Sequence, residues 1–387
     1  MTDIRHELRK FVAPEFVIGD DARALTGRYA RNYGATHVLV VTDPQMMSTP
    51  WIQLIFESLD AEGIQYTIFS DVLPNPRDFE VMTGAERYHA AGCDAIIAIG
   101  GGSSIDCAKG IGIVASNNSN ILDFEGVDNI PVPSPPLICI PTTAGSAADV
   151  SQFAIINDSR KKVKITIISK KIVPDISLMD PVTLMTLPAA LTAHTGMDAI
   201  VHSIEAYVSN ASSPVTDIHA LESIRIMTTT LPLACLHPEN LDYRYQTMLG
   251  SLLAGLAFSN ASLGIVHAMA HSLGGKFDLP HGECNALLLE GAIEYNFPAC
   301  PERYINIGNA MNIVYTSSDP ESCKQQLISA ISRLRSSLGI PKGLREFGIS
   351  TETISSLANT AIRDPCLATN PKETTISDIE QIYARSF

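Results

Sequence analysis

The sequence predicts an α/β N-terminal domain with a Rossmann-like, mostly parallel sheet, followed by an all-α helical C-terminal domain. Three observations predict it. Strand-like apolar runs alternate with helix-period segments through the first half, the pattern of a parallel sheet covered on both faces. One of these runs feeds straight into three consecutive glycines and a new helix. After Pro188 the strand pattern stops, and helical segments continue almost to the end.

In chain order the apolar runs are residues 37–42, 65–70, 94–99 and 137–140, with helical segments at 80–91 and 103–116 between the later ones. Further β-rich runs follow at 153–157, 163–168 and 176–179. Helical periodicity then takes over, for example at 189–209, 217–235 and 320–338. The domain boundary is placed at Leu187-Pro188, giving an α/β domain over 1–188 and a helical domain over 189–387.

Composition removes several function classes. The 387 residues carry 27 Lys and Arg against 41 Asp and Glu, a net charge of −14, which argues against nucleic acid or an anionic membrane as partner. With 45% hydrophobic and 18% charged residues, the chain is not intrinsically disordered. Its first thirty residues lack a basic-then-apolar pattern, so a cytoplasmic address is expected. The eight cysteines form no CxxC pair and read as buried reduced thiols. Residues 245–275 contain no Asp, Glu, Lys or Arg, but Ser, Asn and His interrupt the stretch. Two buried helices meeting near Asn260 are expected there rather than a membrane span.

Three strand ends carry candidate ligand contacts. The run at 94–99 enters Gly100-Gly101-Gly102-Ser103, where the backbone can turn sharply and expose the N–H groups of a new helix to a pyrophosphate. Asp43 ends an earlier strand, where an acid can accept hydrogen bonds from a ribose and repel a 2′-phosphate, favouring NAD over NADP. Asp-Pro is equally ordinary turn chemistry. Pro141-Thr142-Thr143-Ala144-Gly145-Ser146 follows a third strand and suits either a cofactor contact or a helix cap.

Seven of the ten histidines lie in the helical half. Asp198 and His202 share one helix face at i, i+4, His267 and His271 repeat that spacing, and His281 sits in a predicted turn after the second pair. A carboxylate with several imidazoles suits a divalent first-row metal such as Fe(II) or Zn(II). His194, His219 and His237 read as structural or loop residues.

Taken together, Gly100-Gly-Gly-Ser-Ser-Ile-Asp106-Cys-Ala-Lys109, Pro141-Thr-Thr-Ala-Gly145, Thr195-Gly-Met-Asp-Ala199, His202-Ser-Ile-Glu-Ala-Tyr207, His267-Ala-Met-Ala-His-Ser-Leu-Gly274 and Pro280-His-Gly282 resemble the iron-containing (group III) alcohol dehydrogenase family over essentially the whole chain. The resemblance implies that Asp198, His202, His267 and His281 bind the metal, Fe(II) with Zn(II) as its competitor. His271 then lies in the substrate cleft as a candidate proton relay. It further implies NAD contacts at Asp43, Asn75, Gly100, Gly101, Gly102, Ser103, Asp106, Thr142, Thr143, Ser146 and Lys164. The implied activity is hydride transfer between NAD(H) and a small primary alcohol or diol and its aldehyde. A glycerol-dehydrogenase-like zinc enzyme and a catalytically silent NAD- or metal-binding member are the competing readings. A homodimer or higher homo-oligomer is implied as well, with residues 11–19 supplying a strand that pairs across subunits. Two departures stand out. Gly145-Ser146-Ala147-Ala148-Asp149 replaces the family's Gly-Thr-Gly-Ser-Glu, and Glu290 replaces its proline after Leu287-Leu-Leu.

Overall fold

The computed structural model describes residues 8–340 and 343–387. Strand β1 (Glu15–Ile18) is followed by α1 (Thr26–Asn32), β2 (His37–Val41), α2 (Gln53–Ala61) and β3 (Gln65–Phe69). Next come α3 (Asp78–Ala91), β4 (Ala95–Gly100), α4 (Gly102–Asn117), β5 (Gly126–Val127) and β6 (Leu137–Pro141). Strands β7 (Phe153–Asp158), β8 (Val163–Ile168) and β9 (Ile176–Met179) close this half. The later half is helical: α5 (Ala189–Val208), α6 (Pro214–Leu236), α7 (Leu241–Ala261), α8 (Ile265–Phe277) and α9 (His281–Asn296). It ends with α10 (Pro301–Ala310), α11 (Pro320–Ser337), α12 (Ile354–Ala361) and α13 (Ile376–Arg385).

The six-stranded sheet has the order β1-β9-β6-β4-β2-β3 and is parallel throughout. Its central strands read as unbroken apolar runs because both faces are buried. Leu39, Val41, Ile96 and Ala98 pack toward α3 and α4, while Val38, Val40, Ile97 and Ile99 pack toward α1 and α2. The chain leaves β2 toward β3, then crosses back to place β4 on the other side of β2. The carboxyl ends of β2 and β4 therefore flank the switch point where open α/β sheets bind ligands. Strands β7 and β8 pair antiparallel, with β5 beside β8, in a separate three-stranded sheet.

Caps written into the sequence set the helix ends. Ser213 and Thr216 form a capping box ahead of α6, with Pro214 in its first turn, and Asn240 and Asp319 cap α7 and α11. Helices α7 and α8 break at Ser262, which has φ +60°, and bend by 102°. Both bury their side chains in the helical core. No single helix among the described residues is long and apolar enough to cross a membrane, although this bent pair passes by composition.

The altered loop after Gly145 keeps a glycine-like backbone: Ala147 has φ +47°. Its methyl group fits because α7 presents Gly255, where a Cβ would stand 2.5 Å from the Ala147 Cβ and 2.5 Å from Val150. Gly255→Ala should therefore cost about 1–3 kcal/mol by overpacking. Ala147→Gly in that background should recover part of the loss, seen as non-additive shifts of urea midpoints. Strict additivity would refute the pairing.

Candidate metal and cofactor site

The cofactor side is assembled at the switch point. Helix α4 starts at Gly102 with Gly101 as its cap residue, and no side chain caps it, so its first N–H groups are left for a ligand. The glycines are needed for packing as well as for the turn. A Cβ on Gly102 would lie 2.7 Å from Ser146 Oγ, and one on Gly101 3.0 Å from Thr143 Cγ2. Asp43 lies across from Gly100, its Oδ2 3.5 Å from where a Gly100 Cβ would be. Its Oδ1 accepts from the N–H groups of Gln45 and Met46, at 2.9 and 3.2 Å. The turn role is thus present on one carboxylate oxygen, and the other faces the glycine turn.

Asn75, in the left-handed region at φ +57°, ties several elements together. Its N–H donates to Ser103 Oγ at 3.2 Å, its Oδ1 accepts from Lys164 Nζ at 2.9 Å, and its Nδ2 donates to Asp278 Oδ1 at 2.8 Å. Asp278 ends α8, so this residue joins the glycine turn to the helix bearing His267. Burial holds the Lys164 ammonium below its usual pKa. Thr142 is buried and continues the strand ladder through its N–H to the Gly100 carbonyl. Asp106 faces β7, where the Ile155 N–H donates to it, and burial raises its carboxyl to about 7 despite nearby Lys109. Lys109 is fully buried and donates to the Ser151 and Phe153 carbonyls at 2.8 and 2.7 Å, bracing the loop after β6.

The histidines converge on one oxygen. The Nε2 atoms of His267, His281 and His202 lie 3.5, 3.7 and 3.8 Å from Asp198 Oδ1. Asp198 and His202 come from α5 and His267 from α8. His281 is the first residue of α9 rather than a turn residue, because Pro280 supplies the entry to that helix. Asp198, His267 and His281 offer potential ligand atoms all within 4.8 Å of one another, and the His202 ring stacks on His267 at 4.5 Å. Donors about 2.0–2.2 Å from one tetrahedral metal stand roughly 3.4 Å apart, so the set fits a single ion. His281 Nδ1 and Asn285 Oδ1 are buried without a hydrogen-bond partner among the described residues.

The electrostatics suit a cation. Burial alone would push the Asp198 carboxyl up, but attraction to the His202, His281 and His267 rings whenever these are protonated, with the His267 hydrogen bond, outweighs it and holds it well below the ordinary range. Burial pushes His202 down to about 3 and His281 well below its usual value, leaving both neutral with lone pairs to offer. For His267 burial acts downward, yet hydrogen bonds to Asp198 and Glu205 win and raise it to about 9.

Sequence reasoning passed over three residues here. Glu205, one helical turn beyond His202, accepts from His267 Nδ1 at 2.6 Å and from the N–H groups of Val266 and Gly264 at 2.7 and 3.0 Å. It therefore orients the His267 ring and caps α8 at once. Its place in His202-Ser-Ile-Glu205 was the available signal. Asn285, four residues after His281, donates to Asp198 Oδ1 at 2.6 Å. Asp364, 93 residues from His271, binds that histidine's Nδ1 at 2.8 Å, a separation that no local pattern reveals. Glu290, the second departure, pairs with Arg335 Nε of α11 at 3.0 Å and serves helix packing.

Comparisons with known proteins agree along the chain. The family model described as "Iron-containing alcohol dehydrogenase" matches residues 13–181, and "Fe-containing alcohol dehydrogenase family, C-terminal" matches 192–387. NAD-dependent methanol dehydrogenase of Bacillus methanolicus is 36% identical over 96% of this chain and 98% of its own. The 1,3-propanediol dehydrogenase of Klebsiella pneumoniae is 37% identical over 95% and 96% respectively. A crystal structure of a 1,3-propanediol oxidoreductase superimposes with a TM-score of 0.95 at 36% identity, covering 98% of this chain and 100% of the other.

Glu205→Gln should keep the fold and lower metal affinity about 10–100-fold, as for other partners that orient ligating histidines. Chelator-competition titration checks this, and an unchanged affinity would refute the orienting role.

Proposed function

The chain belongs to the iron-containing alcohol dehydrogenase family and is an NAD-dependent alcohol dehydrogenase of that type; for its site we propose one divalent metal held by Asp198, His202, His267 and His281. The observation that carries this proposal is the convergence of three imidazole Nε2 atoms on one buried carboxylate oxygen. NAD is placed with its pyrophosphate at the uncapped start of α4 and its ribose at Asp43, and with Asn75, Ser103, Asp106, Thr142, Thr143, Ser146 and Lys164 as the remaining contacts. Fe(II) is the proposed occupant, on the family's iron-type four-ligand pattern, with Zn(II) competing through its higher intrinsic affinity.

When bound, the metal supplies Lewis acidity to the substrate oxygen and NAD supplies the hydride acceptor. The chain's own residues prepare both. Asp198 stays ionised, His202 and His281 stay neutral, and Glu205 fixes the ring of His267. His271 stacks beside His281, with ring centroids 5.2 Å apart and planes 14° from parallel, and among the described residues its hydrogen bond is made by Nδ1, not Nε2. The Nε2 nitrogen is assigned to pass the hydroxyl proton between substrate and solvent.

Small primary alcohols and diols are the proposed substrates, supported by relatives named for methanol and 1,3-propanediol. Residues 1–188 and 189–387 are proposed as the two domains. A cytoplasmic homodimer is proposed too, with β1 as the pairing strand: it forms one edge of the sheet and exposes Phe16.

Protein purified without oxygen should oxidise NADH with a small aldehyde, lose that activity on chelation and regain it with Fe(II). No turnover in any metal state would sink the proposed centre. His267→Ala should lose metal and activity together. Asp43→Gly should shift the NAD-to-NADP ratio of kcat/KM toward NADP by roughly tenfold or more, and an unchanged ratio would remove the ribose contact.

A further inference from the structure

Asp364 lies outside the proposed ligand set, yet it is buried against the one histidine to which that set assigns no bond. Its side chain is 8% exposed and that of His271 5%. Its two oxygens have separate tasks. Oδ2 meets His271 Nδ1 at 2.8 Å, and Oδ1 accepts the Cys366 N–H at 2.8 Å as the cap of a short turn at Pro365–Thr369. Although burial opposes it, the His271 contact and the hydrogen bonds hold the Asp364 carboxyl below its usual pKa, so it acts as an acceptor on both sides. Cys366 completes a close trio with His271 and Asp364. Burial and the neighbouring carboxylate keep its thiol well above its usual pKa, so it stays protonated and the trio reads as a hydrogen-bonded unit rather than a second metal site.

We propose that Asp364 is the positioning residue for His271: it holds the proton on Nδ1, so that the Nε2 lone pair faces the cleft in every resting molecule. The inference rests on the assignment of His271 as the proton carrier. The carboxylate is suited to this because an amide cannot replace it. In Asp364→Asn the backbone N–H of Cys366 claims the single amide oxygen. The NH₂ group then points at Nδ1 and forces the proton to Nε2, the wrong nitrogen.

The test compares metal-loaded wild type, Asp364→Asn, His271→Ala and the double variant in oxidation of a small primary alcohol by NAD, the direction in which the Nε2 lone pair takes up the hydroxyl proton. Metal content is measured alongside, with ring ¹⁵N NMR on the diamagnetic Zn(II)-loaded protein. Asp364→Asn should lower kcat about 100-fold with KM and metal content held, and its spectrum should move from the Nδ1–H to the Nε2–H form. Asp364→Ser keeps an acceptor for the cap but cannot span to His271. It should show the same kcat loss and serves if the Asn variant does not fold. In the His271→Ala background the Asp364 substitution should have no further effect. A retained Nδ1–H tautomer, a wild-type kcat, or full additivity in the double variant would each overturn the proposal. Full turnover by His271→Ala would instead remove the relay assignment, while the spectra still decide whether Asp364 sets the tautomer.

Discussion

The structure depends on keeping one carboxylate, Asp198, ionised where water is excluded. Burying an unpaired charge costs several kcal/mol, so three imidazoles and an amide must already be in place around it. The donors come from three helices, α5, α8 and α9, and the starts of the last two are each fixed by a specific residue. Glu205 gathers the first N–H groups of α8 and the Nδ1 of His267, so the residue that starts the helix also aims that imidazole. Pro280 places His281 at the first position of α9, and Asn285 returns one turn later to Asp198. Losing any of these contacts leaves a buried charge or donor exposed to no compensating group.

The same centre explains the arrangement of the first half. The crossover from β3 back to β4 brings Asp43 and the glycine turn side by side, and the loop after β6 packs onto the glycines through Thr143 and Ser146. Asn75 then bridges Ser103, Lys164 and Asp278. A residue in the left-handed conformation thus couples the start of α4 to the end of α8, and the glycine turn and the histidine cluster are held in register by hydrogen bonds rather than by the sheet alone.

Much of this was legible because it is periodic or local. The buried strands announce themselves as apolar runs, and β8 and β9 occupy the very residues their patterns mark. The Asp198/His202 and His267/His271 pairs are helical spacings, and the bend near Asn260 follows from the polar interruption of an otherwise apolar stretch. What escaped was either short or non-local. Strand β1 spans four residues and is half exposed, so no alternation marks it, and it was the family resemblance that put a strand at residues 11–19. Glu205 and Asn285 sit one turn from known candidates, but a helical carboxylate or amide is ordinarily a solvated one. Asp364 reaches His271 only through the fold.

The two departures from the family pattern show how such a site tolerates change. Ala147 keeps a left-handed backbone although a Cβ disfavours it by about 1–2 kcal/mol. The compensation lies across the interface, where Gly255 leaves room for the methyl group, and in Asp149, which is buried and accepts from Ser177 at 2.7 Å. Glu290 lets α9 run unbroken to Asn296 and spends its charge on Arg335 of α11. Both changes are absorbed by packing partners, while the backbone of Gly145, which both sequences keep, still meets His202. That is what the physics requires: packing can be renegotiated pair by pair, whereas a buried ion holds all of its neighbours at once.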